Sequence, residues 1–328
     1  MRPKKILLVM PDYSDFPELF IRNLEKLGFQ ASLIINKIPA YKYRGSERVV
    51  NFIRKTFLKD KSYKKKLIAQ FEETEYSRIT AELDEMFDYI FVIRPDSFPT
   101  SFIEKLKDKT TKYIGYQWDG IEKFPEVKNY FSFFNTFFCF ETVPGFSNVK
   151  KTTNFYFDFD NYKAAQTPVQ NIPPVFYFVG LDWEIRRSKI NNFVEFAVIN
   201  DFKLDFYLQE FDKNDDKNPH IQYITKRISF AENIEFVKKS DVLVDFVDPR
   251  QVGLSFRFFE GLYYRKKIIT DNLMVKKYDF YHPDNIFVIE NDNNAAILEF
   301  LKRPYQELPE HIVKKYSFSE WIFRMLSE

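Results

Sequence analysis

The chain has 328 residues, more than one hydrophobic core usually fills, so two domains are expected. Its 49 Lys and Arg nearly balance 47 Asp and Glu, and a net charge of +2 offers no global attraction to nucleic acid or to anionic lipid. A lone cysteine, Cys139, excludes an internal disulfide and fits a reducing compartment, and no stretch approaches the roughly 18 apolar residues of a membrane span. The expectation is a soluble protein of the cytoplasm.

Ile6 to Met10 reads as a buried strand, followed by the turn Pro11 to Asp15 and a helix from Pro17 to Leu27 that ends at Gly28. Ala31 to Ile35 makes the second strand. This is a βαβ opening, yet it has no G-x-G-x-x-G, so a dinucleotide site is not supported. Asp12 and Asp15 stand beyond the first strand, where α/β sheets hold ligands; each is a candidate base or an ordinary helix-capping or turn residue. The segment 41–66 then carries ten Lys or Arg against Glu47 and Asp60, with an apolar stripe of Val49, Val50, Phe52, Ile53, Phe57 and Leu58. Tyr76 to Met86 reads as a helix, Tyr89 to Ile93 as a strand, Phe102 to Lys107 as a helix and Lys112 to Gln117 as a strand ending at Trp118-Asp119-Gly120. Asp119 is either chemistry at a strand tip or a turn and helix-cap residue. Phe137 to Phe140 forms the core of a further strand, with Cys139 packed inside it.

From Tyr162 to Pro174 periodicity fades and prolines gather, which marks the expected domain boundary. Val175 to Val179 opens the second half, ends at Gly180 and leads into a helix carrying Arg186 and Arg187. Leu204 to Leu208 is a strand, and 214–220 a polar loop. Ser229 and Glu232 form a capping box at the head of a helix running to Lys238. Val242 to Val247 is an apolar strand stopped at Pro249. Gly253-Leu254-Ser255 turns into a helix over Phe256 to Tyr264, with Ser255 typed as its N-cap, and the strand Lys267 to Thr270 follows. Strand, glycine turn, helix and strand make half of a nucleotide-binding α/β sheet. The free N–H groups opening such a helix can hold a diphosphate. Arg257 can add a charge-assisted contact and Glu260 can accept from sugar hydroxyls, or the two form an ordinary i,i+3 ion pair. Ile286 to Ile289 then makes a strand, Asn293 to Leu301 a helix, and Phe318 to Leu326 a short amphipathic helix.

The run DPRQVGLSFRFFEGLYYRKKIITDN resembles the C-terminal signature of bacterial GT-B-fold glycosyltransferases of surface polysaccharide (capsule and lipopolysaccharide) biosynthesis. The matching positions are Gln251, Gly253, Leu254, Ser255, Arg257, Glu260, Lys266, Lys267, Ile269, Thr270 and Asn272, and Tyr278 to Ile289 is similar as well. The resemblance implies two Rossmann-like domains facing across a cleft: 1–165 on the acceptor side, 166–315 for the nucleotide-sugar, and 316–328 as a helix packing back on the first domain. It further implies transfer of a sugar from a nucleoside-diphosphate sugar to a glycan or lipid-linked acceptor of the cell envelope, with no cofactor and no metal. Donor-binding candidates are then Gly180, Arg186, Arg187, Gln251, Gly253, Leu254, Ser255, Arg257 and Glu260; the acceptor-side base is Asp119 or Asp12. The family's pair of glutamates eight residues apart is missing, because Val252 and Ile268 occupy both such positions around Glu260. His282 lies in the family-like loop as a donor contact or a loop-shaping residue, and no histidine has a partner at metal-ligand spacing. Under this reading the 41–66 segment docks peripherally on an anionic membrane, or else is a solvated helix covering the domain; nucleic acid is not an expected partner. A non-catalytic nucleotide-sugar or glycan-binding protein, or an effector sensor hinged at 162–174, would present the same pattern.

Overall fold

Strands that are apolar on both faces pair best where helices cover both sides of a parallel sheet, and the chain builds two such sheets. The computed structural model describes residues 2–159, 173–210, 217–248, 251–290 and 295–328. The expected linker, 162–174, lies outside them apart from Pro173 and Pro174. The chain divides into two compact units: Met1–Tyr13 with Pro17–Lys151, and Ser14–Phe16 with Thr152–Glu328.

The first unit contains β1 (Lys5–Met10), β2 (Gln30–Ile35), β3 (Tyr89–Ile93), β4 (Tyr113–Tyr116), β5 (Thr136–Cys139) and β6 (Val149–Lys151), all parallel in the order β2-β1-β3-β4-β5-β6. Its helices are α1 (Phe16–Lys26), α2 (Glu47–Phe57), α3 (Ser62–Ala81) and α4 (Thr100–Leu106). The crossover direction reverses between β1 and β3, where a ligand crevice opens in such sheets. Val9, Val92, Phe102, Phe131 and Phe137 are core residues of this unit. Helix α3 begins fourteen residues before the expected Tyr76 start. Its Lys- and Glu-rich surface turns have almost no apolar period, and only Tyr76 and Thr80 are buried.

The second unit contains β7 (Val175–Leu181), β8 (Lys203–Gln209), β9 (Gln222–Ile224), β10 (Val242–Asp245), β11 (Lys267–Thr270) and β12 (Ile286–Val288), parallel in the order β12-β11-β10-β7-β8-β9. This is the doubly wound nucleotide-binding order, with its reversal between β7 and β10. Alternation along β7 sends Phe176 and Phe178 to one core and Tyr177 to the other. The helices are α5 (Glu184–Ile199), α6 (Phe230–Lys239), α7 (Phe256–Tyr264), α8 (Ala295–Lys302), α9 (Glu310–Lys315) and α10 (Phe318–Ser327). Tyr156 bonds through its backbone to Tyr316 and Phe318 (2.9 and 2.7 Å), and Trp321 donates Nε1–H to the Thr153 carbonyl (3.0 Å). The final helix thus packs on 152–157, residues the sequence reading assigned to the first domain and the contacts assign to the second unit.

Candidate functional site

The carboxyl ends of β7 and β10 meet at the reversal point of the second sheet, and two arginines close over them. Arg186, in the first turn of α5, donates to the Leu181 carbonyl (2.6 Å) and across to the Phe246 carbonyl (3.2 Å). Arg257, in the first turn of α7, donates to the Val179 carbonyl (2.5 Å) and to Asp245 (2.7 Å), and its guanidinium lies 5.1 Å from the Phe178 ring centroid. Arg257 thus pairs with the buried Asp245, whereas Arg186 is held by backbone carbonyls alone among the bonds described. Burial, followed by the neighbouring Arg257 charge, lowers the Arg186 pKa, and the buried Arg186 Nε has no hydrogen-bond partner. A guanidinium that keeps one donor unspent is suited to receive an anion.

Asp245 is the residue the sequence reading missed. It accepts from Arg257, from Ser255 Oγ (2.9 Å) and from Thr270 Oγ1 (3.3 Å), and so holds the Arg257 fork in place. The signal was a charged residue inside the apolar run VLVDFV. Ser255 occupies the N-cap position of α7, but its side chain makes no cap; the hydroxyl points to Asp245 instead. The first turn of α7 thus keeps its outward N–H groups uncapped by that side chain, as an anion-binding helix start requires. Gly253 has φ +88°, a conformation costly for any residue with a Cβ, and Asn154 Nδ2 anchors the neighbouring Leu254 carbonyl (2.9 Å).

The remaining donor-side candidates separate. A Cβ at Gly180 would lie 3.0 Å from the Phe178 ring, a tight contact, and 3.4 Å from Arg186 Nη2, an ordinary one, so this glycine chiefly makes room for the ring. Arg187 forms a two-pronged pair with Asp182 (2.8 and 2.9 Å) and stays outside the Arg186–Arg257 cluster. Gln251 donates its backbone N–H to the Asp248 carbonyl (2.8 Å). Glu260 does not pair with Arg257 in the i,i+3 manner: it accepts from Asn233 Nδ2 (3.0 Å), whose Oδ1 accepts from Tyr177 (2.9 Å). Burial pushes the Glu260 carboxyl up to about 7 against the opposing pulls of Arg257 and Asn233. His282 shapes its loop: Nδ1 accepts from the Asp284 N–H (3.2 Å) and its carbonyl accepts from Asn285 and Ile286 (3.0 and 2.9 Å).

In the first unit Asp119 is paired with Arg94 (3.0 Å) and Lys123 (2.9 Å), and Asp12 with Lys37 (3.2 Å). The residues after Asp119 form turns, and the next helical segment, a 3-10 stretch, starts only at Pro125. Arg94, also missed from sequence, stands at the tip of β3 with φ +56° and clasps the buried Asp96 as well as Asp119. A left-handed arginine costs on the order of 1–2 kcal/mol, which the double carboxylate pairing offsets. Within the second unit, Asp15 accepts from the Phe230 and Ala231 N–H groups (2.7 and 2.9 Å) at the head of α6 and so serves as a helix cap.

No protein-family model matches the sequence, and no curated protein matches it either. Solved structures do match over the whole chain. An alpha-glucosyltransferase in complex with UDP and a 13-mer DNA with a central A:G mismatch has a TM-score of 0.60 at 10% identity, covering 100% of both chains. The catalytic domain of Starch Synthase IV from Arabidopsis thaliana, bound to ADP and acarbose, scores 0.56 at 10% identity over 99% of this chain and 100% of that one. The lipopolysaccharide outer core galactosyltransferase WaaB, apo form, scores 0.54 at 9% identity over 98% of each. At such identities the likeness establishes the fold: two parallel-sheet α/β units, as in GT-B glycosyltransferases.

Proposed function

We propose that the chain is a glycosyltransferase taking a nucleoside-diphosphate sugar as donor and a glycan or lipid-linked acceptor of cell-envelope polysaccharide. The observation that carries this reading is the Arg186–Arg257 pair at the β7–β10 reversal point, beside the glycine-led N-terminus of α7. The fold likeness supports it, since several matching structures are of glycosyltransferases. In this mechanism the diphosphate settles against the two guanidiniums and the first turn of α7. Negative charge grows on the diphosphate as the sugar leaves, and these fixed donors stabilise it more in the transition state than in the ground state. Asp245 keeps the Arg257 fork aimed, and Glu260 accepts from donor hydroxyls. Asp119 or Asp12 takes the acceptor proton. The guanidiniums supply the positive charge at the leaving group, so turnover persists in chelator. A panel of nucleoside-diphosphate sugars, read by release of the nucleoside diphosphate, tests the proposal. One donor should respond, and Arg186→Ala should lower that release at least tenfold; no release from any donor would sink the enzyme reading.

A second reading, a non-catalytic nucleotide-sugar binder, is favoured by one observation: both candidate bases are held in ion pairs, Asp119 with two cations and Asp12 with one. It predicts that nucleoside diphosphates bind while no sugar is released, and that Asp119→Asn changes nothing.

A further inference from the structure

Two buried asparagines hold the turn that leads into α7. Asn154, 3% exposed, donates Nδ2–H to the Leu254 carbonyl (2.9 Å), and Asn272, 6% exposed, donates to the Gly253 carbonyl at the long distance of 3.5 Å. In a trans peptide the C=O and the following N–H point in opposite directions. Anchoring these two carbonyls therefore turns the Leu254 and Ser255 N–H groups away from the asparagines. Among the described residues neither N–H has an acceptor, although Leu254 is only 1% exposed. A buried N–H left without a partner costs about 1–3 kcal/mol, and two successive free N–H groups make a cradle for an anion.

Asn154 is itself held by the last helix. Trp321 of α10 donates Nε1–H to the Thr153 carbonyl (3.0 Å), and its ring centroid lies 4.2 Å from that of Phe155. The Phe155 ring in turn lies 5.3 Å from Phe256, the first residue of α7. One fully buried tryptophan thus locks the residues on both sides of Asn154, which leaves the amide little freedom to turn. Among such aromatic neighbours an apolar side chain would be easier to bury, and the bond to Leu254 is what an amide adds there. Every one of these residues belongs to the second unit.

We propose that Asn154 is a positioning residue: held by α10, it aims the Leu254 and Ser255 N–H groups at the diphosphate of the donor, while Asn272 braces the same turn. This role presupposes that the diphosphate settles at the start of α7. It makes the C-terminal helix part of the framework of the donor site without contact between that helix and substrate.

Calorimetric titration of the full chain with inorganic pyrophosphate, UDP, ADP and GDP tests it. Asn154→Leu keeps the side-chain size and removes the donor, and should weaken the binding of pyrophosphate roughly tenfold. Trp321→Phe, which loses the Thr153 bond but keeps an aromatic ring, should weaken it less, by about threefold. Asn285→Leu is the control for lost stability. Asn285, 2% exposed, clasps the Gln306 backbone (2.8 and 2.7 Å) at the amino end of β12, the opposite end of the sheet from the start of α7. It should melt earlier and bind pyrophosphate as wild type does. In wild type labelled with nitrogen-15 at leucine and serine, pyrophosphate should shift the Leu254 and Ser255 amide signals, a measurement that needs no variant. Wild-type affinity in a folded Asn154→Leu, an equal loss in Asn285→Leu, or bound pyrophosphate that leaves both amide signals unmoved would overturn the positioning role and leave the two-arginine donor reading standing. A wild-type chain that binds neither pyrophosphate nor any of the three nucleotides would overturn both.

Discussion

Asp245 changes what a substitution at Arg257 means. Arg257→Ala removes a diphosphate contact, but it also leaves a buried carboxylate without its cation, a loss of about 3–5 kcal/mol in other buried pairs. We expect the single variant to be both unstable and inactive. Arg257→Ala/Asp245→Asn should regain most of the stability, measured by chemical denaturation, while nucleoside-diphosphate release stays at least tenfold down. Recovery of turnover along with stability would assign Arg257 a purely structural role. Glu260 allows a second test. Its folded pKa is raised from 4.5 to about 7 by burial, so between those values the folded state binds a proton that the unfolded chain has lost. Stability from this group is therefore full below about pH 4.5, declines as pH rises toward 7, and is level above that, a change of up to roughly 3 kcal/mol. Glu260→Gln should remove that decline. If wild type and variant keep a constant difference in denaturation midpoint from about pH 5 to about pH 8, the burial account fails.

Two serines at helix starts carry opposite assignments. Ser229 heads α6 in a complete capping box with Glu232, as its spacing implied, whereas Ser255 heads α7 with its hydroxyl turned to Asp245. Ser229→Ala should cost about 1 kcal/mol of stability, read as a lower melting temperature, with donor turnover unchanged. Gly253 is a matter of backbone conformation: Gly253→Ala at φ +88° should cost on the order of 1–2 kcal/mol and reduce donor affinity, because the turn that presents the α7 N–H groups would relax. Equal affinity in a destabilised Gly253→Ala protein would separate that turn from the site.

At the scale of the whole molecule, the proposed donor crevice lies in the second sheet, where the order β12-β11-β10-β7-β8-β9 reverses beside both arginines. Nucleoside diphosphate should accordingly raise the melting temperature, by roughly 2.7 kcal/mol of stabilisation at a hundredfold excess over Kd. Amide-exchange protection should be strongest at the tips of β7 and β10 and the first turn of α7. Protection centred instead on the tips of β1 and β3 would move the donor site to the other unit.

Much of this organisation was legible in the chain as written. Continuous apolar runs bounded by Gly, Pro and Asp predicted β3, β11 and α7 to the residue, because a strand buried on both faces or a helix with one apolar stripe must carry its pattern locally. The capping box at Ser229 was equally visible. What the sequence could not express was which charges meet. Asp245 pairs with Arg257 across twelve residues and Arg94 with Asp119 across 25, Gly180 lies against the Phe178 ring, and α2 leaves its apolar side chains exposed. Hydrophobic periodicity is a property of neighbours along the chain, so sequence alone determined the long apolar elements and the parallel α/β class, but not short or surface elements such as β6, β9 and the start of α3. Electrostatic partnership depends on where strand ends converge, and only the tertiary structure decided it.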